Sequence, residues 1–196
     1  MKNLKTTVTI LTIVFGVLTI WSCKDNKSGE KPMEMPNNET TSVTPSIEKI
    51  SYNIEGSERT SEIVNAYLKI KDALVSDDNN AAIEAGKMAL KAFENFDVSS
   101  FGTVQQEKLK GFVGSAIENI KPISEGSIED QRAHFKQLSI NVEDVIAIAG
   151  TDLKLYEIYC PMYEKGSAWL STEKDVKNPF YGSKMLTCGT VKKEIN

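Results

Sequence analysis

A single histidine in the whole chain, His134, excludes the histidine-rich zinc sites that need two imidazoles one helical turn apart. There is no G-x-G-x-x-G and no P-loop, so nothing in the sequence cradles a nucleotide phosphate. Positive charge is not in excess either. Lys and Arg total 23 against 27 Asp and Glu, a formal net charge of −4, which argues against a nucleic-acid partner because phosphate neutralisation needs clustered cations. Nor is there an apolar run long enough for a relaxed membrane span. The longest, Val8 to Ile20, has about 13 residues where a span needs about 20. What is present is ordinary for a folded domain, with 40% hydrophobic and 26% charged residues in 196. Added to that are three cysteines and several methionines in uncommon places.

The N-terminus has the layout of a secretory signal peptide. Lys2 and Lys5 precede the apolar run, and Ile20-Trp21-Ser22-Cys23 closes it. The junction resembles a bacterial lipobox, which implies cleavage before Cys23 and lipidation of its thiol. Residues 1–22 are thus expected to be a lipoprotein signal peptide. Their removal takes away two lysines and no acid, lowering the charge to −6. Residues 23–55 are polar, rich in Asn, Ser, Thr, Pro, Lys and Glu, and read as a flexible tether. Met33-Glu34-Met35 within it reads as incidental. The expected location is the bacterial cell envelope, lipid-anchored, facing the periplasm or on the outer-membrane surface. That compartment is oxidising, so the remaining thiols are free to pair.

Residues 56–196 read as one domain. From Ser57 the apolar residues recur at helical spacing. Ile63, Val64, Tyr67, Ile70 and Leu74 make a first stripe. Asp77 to Asn80 break it and cap a second helix with Ala82, Ala85, Ala89 and Phe93. Thr103 and Gln106 form a capping-box pattern for a third, with Leu109, Phe112, Val113, Ala116 and Ile120, ended by Pro122 and Gly126. Ser127 with Asp130 opens a fourth, with Phe135, Leu138, Val142 and Val145, closed by Gly150. Isolated helices of this length are marginal in water, so the stripes must bury one another. The expected fold is mainly α: an antiparallel four-helix bundle. After Gly150 short runs at 153–159, 168–170 and 185–187, parted by Gly and Pro, predict a small β or loop appendage.

The distinctive chemistry lies in that appendage. Cys160-Pro161-Met162 and Met185-Leu186-Thr187-Cys188 each place a thiol near a thioether. Thiolate and thioether are soft ligands that select Cu(I) and similar ions. His134, on the helix leading into the Cys160 segment, could add an imidazole. The candidate metal ligands are therefore His134, Cys160, Met162, Met185 and Cys188, with copper (Cu(I)) or silver as the ion. The competing reading is a Cys160–Cys188 disulfide, the only pairing left once Cys23 is lipidated. It would close a loop of about 29 residues and contribute ~3–4 kcal/mol. In that reading the methionines are core filler.

The stretch from about Ser57 to Ile195 resembles an uncharacterised family of bacterial envelope domains. It carries Gln131-Arg132-Ala133-His134-Phe135, Cys160-Pro161-Met162, Trp169-Leu170-Ser171, Asn178-Pro179-Phe180-Tyr181-Gly182 and Met185-Leu186-Thr187-Cys188-Gly189. Related domains are appended to membrane-fusion adaptors of copper and silver efflux pumps. The resemblance implies heavy-metal handling, as chaperone, scavenger or efflux accessory, with efflux components as partners. An enzyme is not expected. A Cys/His nucleophile would need His134 beside a thiol, and no oxyanion or substrate motif accompanies it.

If Cys23 carries the lipid, Cys23→Ala moves the protein from the detergent phase to the aqueous phase on detergent partition. A variant that stays in the detergent phase would make the apolar run itself the anchor.

Overall fold

The computed structural model describes residues 54–196, with side chains from Thr60 onward; the expected signal peptide, Cys23 and the tether up to Asn53 lie outside the described residues. Four helices come first: α1 (Ile54–Val75), α2 (Asn79–Glu94), α3 (Thr103–Ile123) and α4 (Ile128–Ala149). Each packs on its neighbour in sequence, and α1 closes against α4. Three strands follow, β1 (Leu155–Cys160), β2 (Ser167–Ser171) and β3 (Thr190–Ile195), with a short 3-10 turn at Gly182–Lys184. The fold is thus a mainly α bundle with a small β appendage.

The stripes read from the sequence form the core. Ile63, Val64, Tyr67, Ile70 and Leu74 of α1 are fully buried with Ala82, Ala89 and Phe93 of α2, Leu109, Ala116 and Ile120 of α3, and Leu138, Val142 and Val145 of α4. The alanines on the inner face of α2 leave room for the larger side chains of α1. Asp78 caps α2 by accepting from the Ala81 N–H at 2.9 Å. Ser127 and Asp130 form the reciprocal cap of α4. The Gly150 N–H closes α4 on the Ile146 carbonyl at 2.8 Å.

Three details depart from the sequence reading. The cap of α3 is Gly102, one residue before Thr103. Gln105, not Gln106, accepts its N–H at 3.2 Å, while Gln106 Nε2 donates to the Phe101 carbonyl at 2.7 Å. Pro122 lies inside the last turn of α3 rather than after it. There its missing N–H costs one helical bond, and its carbonyl takes the Gly126 N–H at 2.7 Å. The run 185–187 is not a strand, and the third strand is instead Thr190–Ile195.

The sheet is antiparallel in the order β2-β1-β3, with Cys160 opposite Ser167 and Ile158 opposite Trp169. A bulge between Glu157 and Ile158 shifts the β3 register. β3 is an exposed edge bearing Lys192, Lys193 and Glu194, residues that discourage further strand pairing. Lys193 pairs with Glu143 of α4 and with Glu157 of β1, which pins the sheet to α4.

Aromatic rings join sheet and bundle. Phe135 of α4 stacks on Tyr67 with centroids 5.0 Å apart and meets Phe180 at 5.9 Å; Phe180 in turn meets Trp169 edge-on at 5.8 Å. The Tyr67 hydroxyl shares a hydrogen bond with Ser139 at 2.9 Å and accepts the Leu170 N–H of β2 at 2.9 Å. Burial pushes this phenol well above its ordinary range, so it stays neutral.

Removing the shared ring should weaken both layers together. Phe135→Ala is expected to cost about 3–5 kcal/mol in urea unfolding, with helix signal and Trp169 fluorescence lost in one transition. Two separate transitions would show that bundle and sheet do not share a core.

Candidate functional site

β1 ends on Cys160, whose side chain is fully buried, and a buried sheet face leaves its sulfur one direction to point. The segment 178–189 folds back over that face and brings Cys188 to it. The two residues form a disulfide, with Cα atoms 5.8 Å apart. The turn is tight beside the pair. Gly189 has φ +155, and a side chain there would press on Trp169 and Ile158.

The two methionines are not core filler. Met162 is 62% exposed and Met185 39% exposed. The Tyr181 hydroxyl donates to the Met162 carbonyl at 3.0 Å, so the loop after β1 is tied to the loop that carries Met185 and Cys188. The Cys188 N–H donates to the Met185 carbonyl at 3.1 Å.

His134 is placed elsewhere. Its Nδ1 lies 3.1 Å from Asn119 Oδ1 on α3. Lys136 and Glu143 reach the sheet side, Lys136 to Glu164 and Glu143 to Lys193. At about 100° of helical turn per residue, those positions lie about half a turn around α4 from His134. The structure therefore brings together Cys160 and Cys188, with Met162 and Met185 on the segments that flank them, and does not bring His134 to the sulfurs. Among the described residues, no group of three or more His, Cys, Asp and Glu side chains could hold a metal ion.

Two polar residues, read from the sequence only as part of a helix break and of a motif, hold the Cys188 loop on the bundle. Arg132 of α4 is buried. Its Nε donates to the Pro179 carbonyl at 2.9 Å and its Nη2 to the Leu74 carbonyl at 3.0 Å and to Asp77 Oδ1. Asp77, in the turn after α1, accepts the Ser183 N–H at 3.0 Å through its other oxygen. It adopts φ +56, a conformation Asp tolerates better than most residues. Gly182 passes so close to the Asp77–Arg132 pair that no side chain would fit there. Ser183, with its hydroxyl and N–H, and the Arg132 guanidinium hold the Asp77 carboxyl well below the usual carboxylate range. The sequence did hold signals for both residues. Arg132 lies in the Gln-Arg-x-His-Phe run, and a buried Arg needs a carboxylate.

Residues 63–154 match a family described as a protein of unknown function (DUF3347), a stretch that runs from within α1 to the residue before β1. The disulfide, Met162 and Met185 fall beyond the matched stretch. No curated protein and no solved structure matches the chain.

A carboxyl whose pKa is lowered in the folded protein stabilises it above the unfolded-state pKa, about 3.9 for Asp, and loses that contribution as pH falls through and below it. Asp77→Asn is therefore expected to be less stable than the parent at pH 7. It should also lose less of its remaining stability as pH falls below about 4. Chemical denaturation at a series of pH values measures both. Parallel curves would show that the clasp contributes nothing pH-dependent.

Proposed function

We propose that this protein is a lipid-anchored domain of a bacterial cell envelope that handles a soft monovalent ion, Cu(I) or Ag(I), on the Cys160–Cys188 pair when that pair is reduced. It would serve as a chaperone, scavenger or accessory of heavy-metal efflux, held at the membrane by Cys23 and the tether. The observation that carries this reading is the exposure of Met162 and Met185. Thioethers are commonly used to fill cores, yet these two face solvent on the segments that meet at the paired sulfurs. Two thiolates suit a soft ion, and exposed thioethers suit capture and hand-over, since a thioether binds weakly enough to release. A hard ion would need an oxygen cluster. His134, turned toward α3, is left out of the site.

A second reading rests on the disulfide itself. As a permanent staple it would fix the appendage to the sheet, and the domain would act by docking a partner.

A Cu(I) competition titration on the reduced protein separates the two. The first reading expects one ion held per chain, with binding lost in Cys160→Ser and in Cys188→Ser, and weakened in Met162→Leu or Met185→Leu. Equal affinity in parent and cysteine variants would end the copper assignment and leave the staple.

A further inference from the structure

The loop that carries Cys188 is closed by Asn178 as well as by the disulfide. Asn178 is fully buried. Its Nδ2 donates to the Cys188 carbonyl at 2.7 Å, and its Oδ1 accepts the N–H groups of Phe180 at 2.8 Å and Tyr181 at 3.2 Å. Its own N–H donates to the Leu186 carbonyl at 2.8 Å, and its carbonyl accepts the Gly182 N–H at 3.0 Å. One residue thus binds both ends of the segment 178–188. The far side of the segment is held separately, by the Asp77 carboxylate on the Ser183 N–H and by Arg132 on the Pro179 carbonyl. None of these bonds involves a sulfur atom.

We infer that Asn178 is the positioning residue of the Cys160–Cys188 pair: it holds Cys188 against Cys160 in the dithiol form. The pair then opens and closes as a thiol–disulfide couple while the loop stays latched. Breaking the S–S bond consumes two thiols of a reductant such as glutathione, through a mixed disulfide. It yields the two cysteine thiols and one molecule of oxidised glutathione. A latched loop gives the pair a high effective concentration, because little chain entropy remains to be lost when the bond re-forms. The inference deepens the metal reading, since an ion would meet two sulfurs already in place, but the positioning itself needs no metal.

Two measurements on the full chain test it. The first is the equilibrium constant of the pair against glutathione. Asn178→Asp keeps an acceptor for Phe180 and Tyr181 and loses the donor to Cys188. It is expected to lower the constant about ten-fold, the scale of a lost buried hydrogen bond. Leu109→Ala, in the buried core on α3, a helix that packs on α2 and α4, should lower stability and leave the constant unchanged. An unchanged constant in Asn178→Asp, or an equal fall in Leu109→Ala, would overturn the inference. The second measurement uses the parent protein. After reduction, hydrogen exchange at the amides of Phe180, Gly182 and Cys188 should stay protected; loss of protection on reduction would show that the disulfide alone holds the loop. Neither readout contains metal, so a failed Cu(I) titration leaves both standing, and their failure leaves the titration standing.

Discussion

Phe135 is shared between two layers. On one side it stacks on Tyr67 inside the bundle, and on the other it meets Phe180 of the C-terminal segment. A three-stranded sheet with an exposed edge has little core of its own, so it must bury one face elsewhere. The ring cluster supplies that burial, and the Tyr67 hydroxyl fixes the height of β2 by accepting from Leu170. Next to the rings, Arg132 reaches from the same helix to the Pro179 carbonyl and to Asp77. The apolar contact decides that the segment lies on α4, and the guanidinium decides where along α4 it lies. The positions of Cys188 and Met185 follow from these two contacts.

That dependence gives the sulfur cluster its character. Cys160 is fixed by strand pairing and Cys188 by a latched loop, so the two sulfurs meet whichever chemistry they perform. The structure holds the pair as a disulfide, and the proposed function concerns its reduced form, a dithiol with Met162 and Met185 on the flanking segments. The matched family stretch ends just before β1, so it takes in the bundle and not the sulfur-bearing appendage.

The four helices were legible because their apolar residues repeat with the helical period and their ends carry Asp78, Ser127 and Gly150. The α3 cap was misread by one position, since Gly102 offers no side-chain signal while Thr103 does. β3 was missed because an exposed edge strand carries charge instead of alternation. The closeness of Cys160 and Cys188 was readable because both sequence readings demand it, as shared metal ligands or as the pair left once Cys23 is lipidated. The orientation of His134 was not, because the sequence places it beside Phe135 but does not say which neighbour packs on which face of α4. Asn178 could have been found: Asn before Pro opens turns, and its side chain commonly bonds backbone a few residues on.

The central claim is that sulfur alone, from the Cys160–Cys188 region, holds a soft ion. X-ray absorption at the copper edge, on reduced full chain loaded with Cu(I), tests it most directly. The account predicts a shell of sulfur scatterers only, the same in the parent and in His134→Ala. A nitrogen shell that disappears in His134→Ala, or copper that fails to remain with the protein, would contradict it.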